Sequence, residues 1–274
     1  MSGVVLTPRE PAGPPIDMTG VLPERLAEGG RDALAGAMPV RGRERHRLDA
    51  LFTLQDGGPS GTLILRPGAA VLDGVGTGMS AGDILVEGDC GAYAGSGMSG
   101  GSLTVEGRCG AFAAAEMAGG RLRIAGDAGD FLGAPLAGGT RGMSGGSVTV
   151  AGSAGDRVGE RMRRGLIAVH GRVGSLCGAR MIAGTIVVGA GCGPGLGQAM
   201  RRGSILLSQA LEAVPPGFVD GGMNDWLFLE LMRRELTVGG AWPAGFPAVG
   251  TRARRLVGDR SVGGMGEVLI LLKA

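Results

Sequence analysis

The sequence has few of the side chains from which most catalytic centres are built. Aromatic residues make up 3% of the chain, and its two histidines are His46 and His170. A Ser or Cys nucleophile is usually activated by a nearby histidine, and a zinc site needs closely spaced Cys or His ligands. The cysteines are instead spread along the chain, at Cys90, Cys109, Cys177 and Cys192. We therefore predict free thiols, no metal site and no catalytic triad.

Long apolar runs and a strong net charge are also absent. No stretch of about 18 apolar residues indicates a membrane span. The N-terminal residues include acids and prolines rather than the apolar run of a signal peptide. The net charge of +2 gives no general attraction to nucleic acid. These absences predict a cytoplasmic protein whose partners are neither membranes nor nucleic acids.

Glycine is abundant, at 58 residues, and it belongs to a repeat rather than to collagen-like triplets. The fourth residue of each repeat is glycine, and the sixth and eighth are aliphatic, as in Gly120, Leu122 and Ile124. A fixed period near 20 residues indicates a solenoid, in which each repeat buries its apolar side against its neighbours. The repeats open at steps of 19, 19, 26, 19, 19 and 19 residues with Met79, Met98, Met117, Met143, Met162, Met181 and Met200.

The alternation within each repeat predicts a short strand with one buried face. We therefore predict a mostly β protein that folds as a right-handed parallel β-helix of 19-residue coils. The aliphatic positions and the methionines would form rows inside it. The twelfth position holds Cys, Ala or Val, for example Cys90 and Ala128, which indicates a small buried slot. The long step places seven extra residues within Gly129–Gly142, and we expect them to form an outward loop that offers a docking place for a partner.

The sequence divides into three predicted regions: an N-terminal arm and cap at 1–58, the parallel β-helix at 59–208, and a C-terminal helical cap with a final strand at 209–274. In the first region, prolines predict an extended opening arm. The apolar spacing of Leu22–Met38 predicts one or two short helices interrupted by Gly29 and Gly30. The pattern of Leu48–Leu54 predicts a strand.

The C-terminal region contains the best helical pattern in the sequence, Asn224–Leu236, with an apolar face beside a charged one. We expect Asn224 to cap this helix and the helix to close the end of the last coil. The apolar run of Val262–Leu272 predicts the final strand.

Positive charge is concentrated in the second half of the repeats. Between Asp156 and Gly203 there are eight arginines and two acids. Aligned guanidinium groups can bind carboxylates through paired N–H donors. Stacking of the repeats would bring such arginines together on one edge of the stack. This edge is either a solvated surface paired with acids or a site for a polyanionic cofactor tail or an acidic partner. Six arginines cluster around the opening methionines, and stacking would gather them on this edge: Arg161, Arg163, Arg164, Arg180, Arg201 and Arg202.

Other chemical motifs are weak or missing. The glycines of 74–78 do not open a helix, so they do not form a dinucleotide-binding turn. The period of 19 lacks the six-residue subrepeat of hexapeptide acyltransferases. The single asparagine of the chain, Asn224, disfavours the interior ladders of secreted β-helix lyases. A free-standing β-helix enzyme is the rival interpretation from another functional class.

The repeat M-x-x-G-x-[ILV]-x-[ILV]-x-G-x-x-G resembles the glycine-rich-repeat subunit of formylmethanofuran dehydrogenase, as does the ending Val257-Gly-Asp-Arg260 with Gly263-Gly-Met-Gly-Glu-Val-Leu269. The resemblance covers about residues 47–274. The same glycine-rich repeat forms the C-terminal domain of the large subunit of glutamate synthase. The Arg-rich and Ala-rich composition is similar to that of the bacterial methylotroph branch, whose counterpart is the corresponding subunit of a formyltransferase/hydrolase complex.

The resemblance implies a structural subunit without catalytic residues of its own. In the complex it implies, a formyl group moves from tetrahydromethanopterin to a methanofuran-type carrier and is hydrolysed to formate. Amidohydrolase-like, formyltransferase and further subunits would hold the formyl sites and the metal. The alternatives are the same repeat subunit in a tungsten- or molybdenum-dependent formylmethanofuran dehydrogenase and a glutamate-synthase-like scaffold. A polyglutamate tail on the carrier would give the arginine edge an anionic ligand.

Overall fold

The computed structural model describes residues 2–10, 12–242, 246 and 252–271. Its helices are α1 (Glu24–Ala35), α2 (Leu48–Leu51) and α3 (Leu227–Val238), with a short 3-10 helix at Arg260–Val262. Its strands are β1 (Val4–Pro8), β2 (Ile16–Asp17), β3 (Val40–Arg41), β4 (Glu44–Arg45), β5 (Phe52–Asp56), β6 (Thr62–Leu65), β7 (Leu72–Asp73), β8 (Asp83–Val86), β9 (Ser99–Val105), β10 (Gly119–Ile124), β11 (Ser147–Val150), β12 (Leu166–Val169), β13 (Thr185–Val188), β14 (Ser204–Leu207), β15 (Val219–Asp225), β16 (Arg252–Gly258) and β17 (Gly266–Leu271).

The protein is mostly β, and one large sheet of 13 strands dominates it. The strand order is β15-β16-β17-β14-β13-β12-β11-β10-β9-β8-β6-β1-β5, and most neighbours in the series from β14 to β1 are parallel. A small second sheet has the order β4-β3-β2-β7. The long sheet therefore runs through all the repeats and carries the flanking strands at both ends.

Successive repeats stack in register. Leu103 of β9 pairs with Ile84 of β8 on one side and with Leu122 of β10 on the other. The same pairing continues through β11, β12, β13 and β14. The sixth and eighth residues of all seven repeats are buried. The stacking of each sixth position on the next is confirmed. The predicted alternation holds in β8–β10, but in β11–β14 the seventh position is buried as well.

Each opening methionine is fully buried, and its methyl group lies against the glycine of the next repeat. A Cβ added to Gly120 would lie 2.8 Å from Met98 Cε and 2.6 Å from the carbonyl oxygen of Gly100. A Cβ at Gly146 would lie 2.9 Å from Met117 Cε. The Met-x-x-Gly spacing therefore encodes a contact between neighbouring repeats, in which only glycine leaves room for the methionine.

A second line of backbone contacts joins the repeats at the twelfth position. It consists of single parallel bridges that link Cys90, Cys109, Ala128, Ala154, Val173 and Cys192 in turn. All four cysteines are free thiols, and three of them are buried. Five of these six small side chains are buried, as predicted for a small buried slot, and Cys192 is half-buried.

The long step forms a loop that departs from the regular path of the repeats, with exposed residues at 137, 138, 140 and 141. The chain leaves the regular path after Gly133 and returns at Met143, whose N–H donates to the Gly133 carbonyl at 2.8 Å. Residues 134–142 lie between these two points. Glu116 anchors the loop, because its carboxylate accepts a hydrogen bond of 3.2 Å from the Leu136 N–H.

The N-terminal residues extend the sheet beyond the first repeat. Strand β1 pairs in parallel with β6 and antiparallel with β5. Val4–Pro8 is thus part of the large sheet, where the prolines predicted only an extended arm, and Pro11 lies outside the described residues. Helix α1 has non-helical backbone angles at Gly29 and Gly30, as predicted for helices interrupted there.

The strand predicted at Leu48–Leu54 begins later than expected. Residues 48–51 form the helical turn α2, and the strand starts at Phe52. Leu48 and Leu51 are both buried, and their i,i+3 spacing suits one helical turn rather than the alternation of a strand.

Two boundaries of the C-terminal region also differ from the predictions. Helix α3 begins at Leu227, because Asn224 belongs to β15 and pairs with Ala253 of β16. Asn224 therefore does not cap the helix. The final strand begins at Gly266, after the 3-10 helix, and Leu272 lies outside the described residues.

Helix α3 does not close the end of the stack. Its buried residues Leu229 and Leu236 pack with outward-facing Ala168, Val187 and Leu206 of the last three repeats. The strand edge of β14 is instead covered by β17, which pairs with it in parallel. The seventh position of these repeats is apolar because the helix lies on it.

Candidate functional site

The structure separates the six predicted arginines into two groups. Arg161 and Arg180 face Glu160, whose carboxylate is 9% exposed and lies 3.9 Å and 2.8 Å from their nitrogens. Arg157 completes this network at 3.0 Å from Glu160. Arg161 and Arg180 thus share a single carboxylate with Arg157, and this contact within the chain makes them less available for a ligand than the sequence indicated.

The other four arginines form an exposed group, which we call the arginine edge: Arg163, Arg164, Arg201 and Arg202. Within the part of the chain that the structure describes, none of them makes an ion pair. Charged side chains that stay unpaired on a folded surface are available to bind carboxylates or phosphates.

The stacking of the repeats fixes the spacing of the arginine edge. The N–H of Arg163 donates to the Met143 carbonyl, and the N–H of Arg201 donates to the Met181 carbonyl, each at 2.8 Å. One repeat without arginine, which carries Ile182 at this position, separates them. Two strand spacings place the two arginine pairs about 10 Å apart along the stack.

Aromatic rings at the fifteenth position of successive repeats form a stacked ladder, which was not predicted from the sequence. The rings of Tyr93 and Phe112 stack with centroids 5.3 Å apart, and those of Phe112 and Phe131 with centroids 4.6 Å apart. Arg157 lies 5.7 Å from the Phe131 centroid and ends the ladder. These residues all occupy the fifteenth position, so their regular spacing was the signal that could have revealed them.

His170 and Arg123 hold the end of α3 against the sheet. Arg123 Nη2 donates to the Gly239 carbonyl at 3.3 Å, and the imidazole of His170 lies beside the backbone of Gly240. Basic groups at a helix C-terminus stabilise its free carbonyls. His170 thus lies under the C-terminal segment, although the sequence placed it at an outward position, and its role in this structure is to hold the helix.

Acidification is expected to loosen α3. Burial lowers the pKa of His170 below its ordinary value of 6.5, and the nearby backbone of Gly240 offsets this only in part. Its Nε2 is buried and has no partner among the described residues. A proton then binds the unfolded state better, so stability is lost as the pH falls through 6.5. The protection factors of the α3 amides, which are corrected for the intrinsic pH dependence of exchange, should fall from about pH 7.5 to about pH 5.5. A His170→Gln variant should lack this fall, and an equal response in both proteins would contradict the assignment.

A cavity of about 770 Å³ lies beside α1, lined by residues that include Pro23, Leu26, Ala27 and Gly82. Its lining contains Glu24, which accepts hydrogen bonds from the Ser80 and Ala81 N–H groups. The lining has no histidine or cysteine that could pair with this carboxylate. Among the described residues, no group of three or more His, Cys, Asp or Glu side chains could hold a metal ion.

Comparison with protein-family models gave no match, and neither did comparison with curated proteins. Among solved structures, the chain is similar to a chain in the X-ray crystal structure of the formyltransferase/hydrolase complex (FhcABCD) from Methylorubrum extorquens in complex with methylofuran. The two share 32% sequence identity and superpose with a TM-score of 0.85. The match covers 97% of this chain and 99% of that chain. This chain belongs to the same family as that chain of the complex.

Membership in this family supports part of what the repeat motif implied. The relative is one chain of a complex named for formyl transfer and hydrolysis, and that complex binds methylofuran. The narrower assignment to the repeat subunit of formylmethanofuran dehydrogenase stays a prediction. No helix in the described ranges is long and apolar enough to cross a membrane.

Proposed function

We propose that this chain is a non-catalytic structural subunit of a formyltransferase/hydrolase complex in one-carbon metabolism. The observation that supports it most strongly is the match to a chain of such a complex at 32% identity over 97% of this chain. A match that includes the caps as well as the repeats favours a shared role over a shared repeat alone. The complex would transfer a formyl group to a methanofuran-type carrier and hydrolyse it to formate.

In this proposal the repeats are the coils of a right-handed parallel β-helix. In-register pairing of the strands and the bridges at the twelfth position give two separate ladders that advance by one repeat. Parallel strands joined by crossovers are nearly always right-handed. A stiff rod of this kind suits a scaffold, because it holds partner subunits at fixed distances.

The non-catalytic role is supported by the state of the nucleophilic side chains. Burial raises the pKa of Cys177 and of Cys192, and a hydrogen bond with Cys90 together with burial raises the pKa of Cys109. A raised pKa keeps a thiol protonated and unreactive. His170, the other candidate, is used to hold α3. The formyl-transfer and hydrolysis sites, with any metal, would then belong to amidohydrolase-like and formyltransferase subunits.

Reconstitution tests this role. The partner subunits would be purified with and without this chain, and hydrolysis of a formylated methanofuran-type carrier would be measured. We expect no turnover by the isolated chain and a marked loss of hydrolysis of the formylated carrier when the chain is omitted. Turnover by the isolated chain would favour the free-standing enzyme instead.

We also propose that the arginine edge binds a polycarboxylate, either the tail of the carrier or an acidic segment of a partner. Its support is the exposure of Arg163, Arg164, Arg201 and Arg202 without ion pairs among the described residues. Two guanidinium pairs about 10 Å apart can contact an extended chain of carboxylates at several points. Several weak contacts on one chain add to a useful affinity.

Reversing the charge of the arginine edge should abolish this binding. In Arg163→Glu, Arg164→Glu, Arg201→Glu and Arg202→Glu combined, we expect poly-L-glutamate to bind at least about tenfold more weakly at low salt, because attraction becomes repulsion. The control compares Arg163→Glu with Arg164→Glu, two reversals on the edge, against Arg43→Glu with Arg45→Glu, two reversals of exposed arginines at the other end of the chain. Isothermal titration calorimetry would measure the binding of poly-L-glutamate to the edge variants and to the control. Unchanged binding, assembly and activity in the fourfold variant would refute the site.

A further inference from the structure

Helix α3 has apolar residues on two opposite faces, and the described part of the chain covers one of them. Leu229 is 1% exposed and Leu236 is 7% exposed, because both pack on the sheet. At 3.6 residues per turn, Leu227, Leu231 and Val238 lie within about 40° of one another on the opposite side. These three side chains form an apolar line along the helix, which we call the outer stripe of α3.

The outer stripe is strongly exposed. Leu227 is 77% exposed, Leu231 is 59% exposed and Val238 is 92% exposed. Single exposed apolar residues are common, but three in line along one helix form a patch that marks an interaction site. No residue that the structure describes covers this patch, which suits it to contact a partner.

The charge beside the stripe indicates what covers it. Arg234 lies between Leu231 and Val238 on the same side of the helix. In the described part of the chain Arg234 has no ion pair, because the nearby Glu230 is held by Arg233 at 2.6 Å. A cation at the centre of an apolar contact is costly to bury unless an acid meets it.

A second copy of this chain fits the stripe poorly. Two antiparallel α3 helices centred on the stripe would bring their Arg234 side chains close together, and the acids of the helix, Glu230 and Glu235, flank the stripe rather than lie on it. A different chain with an apolar surface and one carboxylate would satisfy both the stripe and Arg234. The pattern of charge thus favours an unlike partner.

We propose that the outer stripe of α3 is the docking surface for another, non-identical subunit, which presents an apolar surface with a carboxylate opposite Arg234. This inference rests on the proposed function, since it assigns a surface to the assembly. It also gives α3 a role distinct from that of the arginine edge, because the stripe is apolar where the edge is charged.

The test uses tagged full-length chain expressed in its host, with quantification of each co-purifying subunit. Leu227→Gln, Leu231→Gln and Val238→Gln keep good helix formers on the surface, and Arg234→Glu reverses the charge. We expect the triple variant, and separately Arg234→Glu, to lower recovery of one particular subunit at least about tenfold, with the melting temperature of the isolated chain unchanged. Val71→Gln and Arg43→Glu, exposed at the other end, are matched controls that should retain all subunits.

The outcomes separate this inference from the proposed function. If the wild-type chain recovers its subunits and the α3 variants recover them equally well, the docking surface is wrong and the proposed function stands. If sedimentation shows a homodimer of the isolated wild-type chain that the triple variant breaks, the occupant is a second copy and the inference is overturned. If the wild-type chain recovers no subunit, the proposed function itself fails.

Discussion

Gly120→Ala is expected to lower the free energy of unfolding by about 3 kcal/mol. Two costs add: a left-handed backbone with a side chain costs about 1–2 kcal/mol, and an overpacked contact costs about 1–3 kcal/mol. Both apply here, because φ of Gly120 is +82° and the new Cβ would meet the Gly100 carbonyl oxygen at 2.6 Å. The backbone of the neighbouring repeat cannot move away without breaking the ladder. Chemical denaturation at neutral pH measures the loss.

Gly97→Ala is the matched control for this experiment. Its φ is +64°, but no atom lies within 4 Å of the added Cβ. The corresponding residues Glu116, Arg161 and Arg180 carry side chains at similar positive φ values. We therefore expect the free energy of unfolding to fall by about 1 kcal/mol, which is the cost of placing a side chain on a left-handed backbone. Equal losses in the two variants would mean that the Met-x-x-Gly contact does not hold the repeats together.

Asp259→Asn is expected to cost about 2–3 kcal/mol, because it breaks the closure of the last repeat. The Asp259 side chain is buried, at 4% exposure. It accepts hydrogen bonds from the Ala199 N–H at 2.9 Å, the Ser261 N–H at 2.9 Å and the Ser261 hydroxyl at 2.7 Å. An amide replaces one accepting oxygen by a donor, so at least one of these N–H groups loses its partner.

The pH dependence of stability provides a second readout for Asp259. Burial alone would raise the pKa of this carboxyl, but the hydrogen bonds from Ser261 and Ala199 outweigh it and lower the pKa below 3.8. The contribution of Asp259 is therefore present above that value and is lost as the pH falls through the folded-state pKa. Denaturation between about pH 5 and about pH 3 should show this loss in the wild type and not in Asp259→Asn. Ser261→Ala, which removes one donor, should cost about 1 kcal/mol.

The interior of the repeats could be predicted from the sequence because it is periodic. The repeat pattern predicted that the methionines and the sixth and eighth residues form buried rows, and every such residue from Met79 to Leu207 is buried. Each repeat packs against a neighbouring repeat with the same pattern, so the residues that define the local pattern also make the long-range contacts. The interruption of α1 at Gly29 and Gly30 was equally local, since glycine adopts the required angles freely.

The caps and the candidate sites depended on contacts that no local pattern contains. Strand β16 lies in a Gly-, Pro- and Arg-rich segment, and it forms through pairing with β15 and β17. The same pairing draws Asn224 out of the predicted helix. The separation of Arg161 and Arg180 from the arginine edge depends on buried Glu160, whose partners become visible only when the repeats stack.

The central claim, that this chain is a subunit of a formyltransferase/hydrolase complex, is tested most directly by affinity purification of the tagged chain from its own host, with mass spectrometry of what co-elutes. The account predicts stoichiometric recovery of an amidohydrolase-like subunit and a formyltransferase subunit. Recovery of an additional molybdopterin-type subunit would move the assignment to formylmethanofuran dehydrogenase. A monodisperse chain that elutes alone would contradict the account.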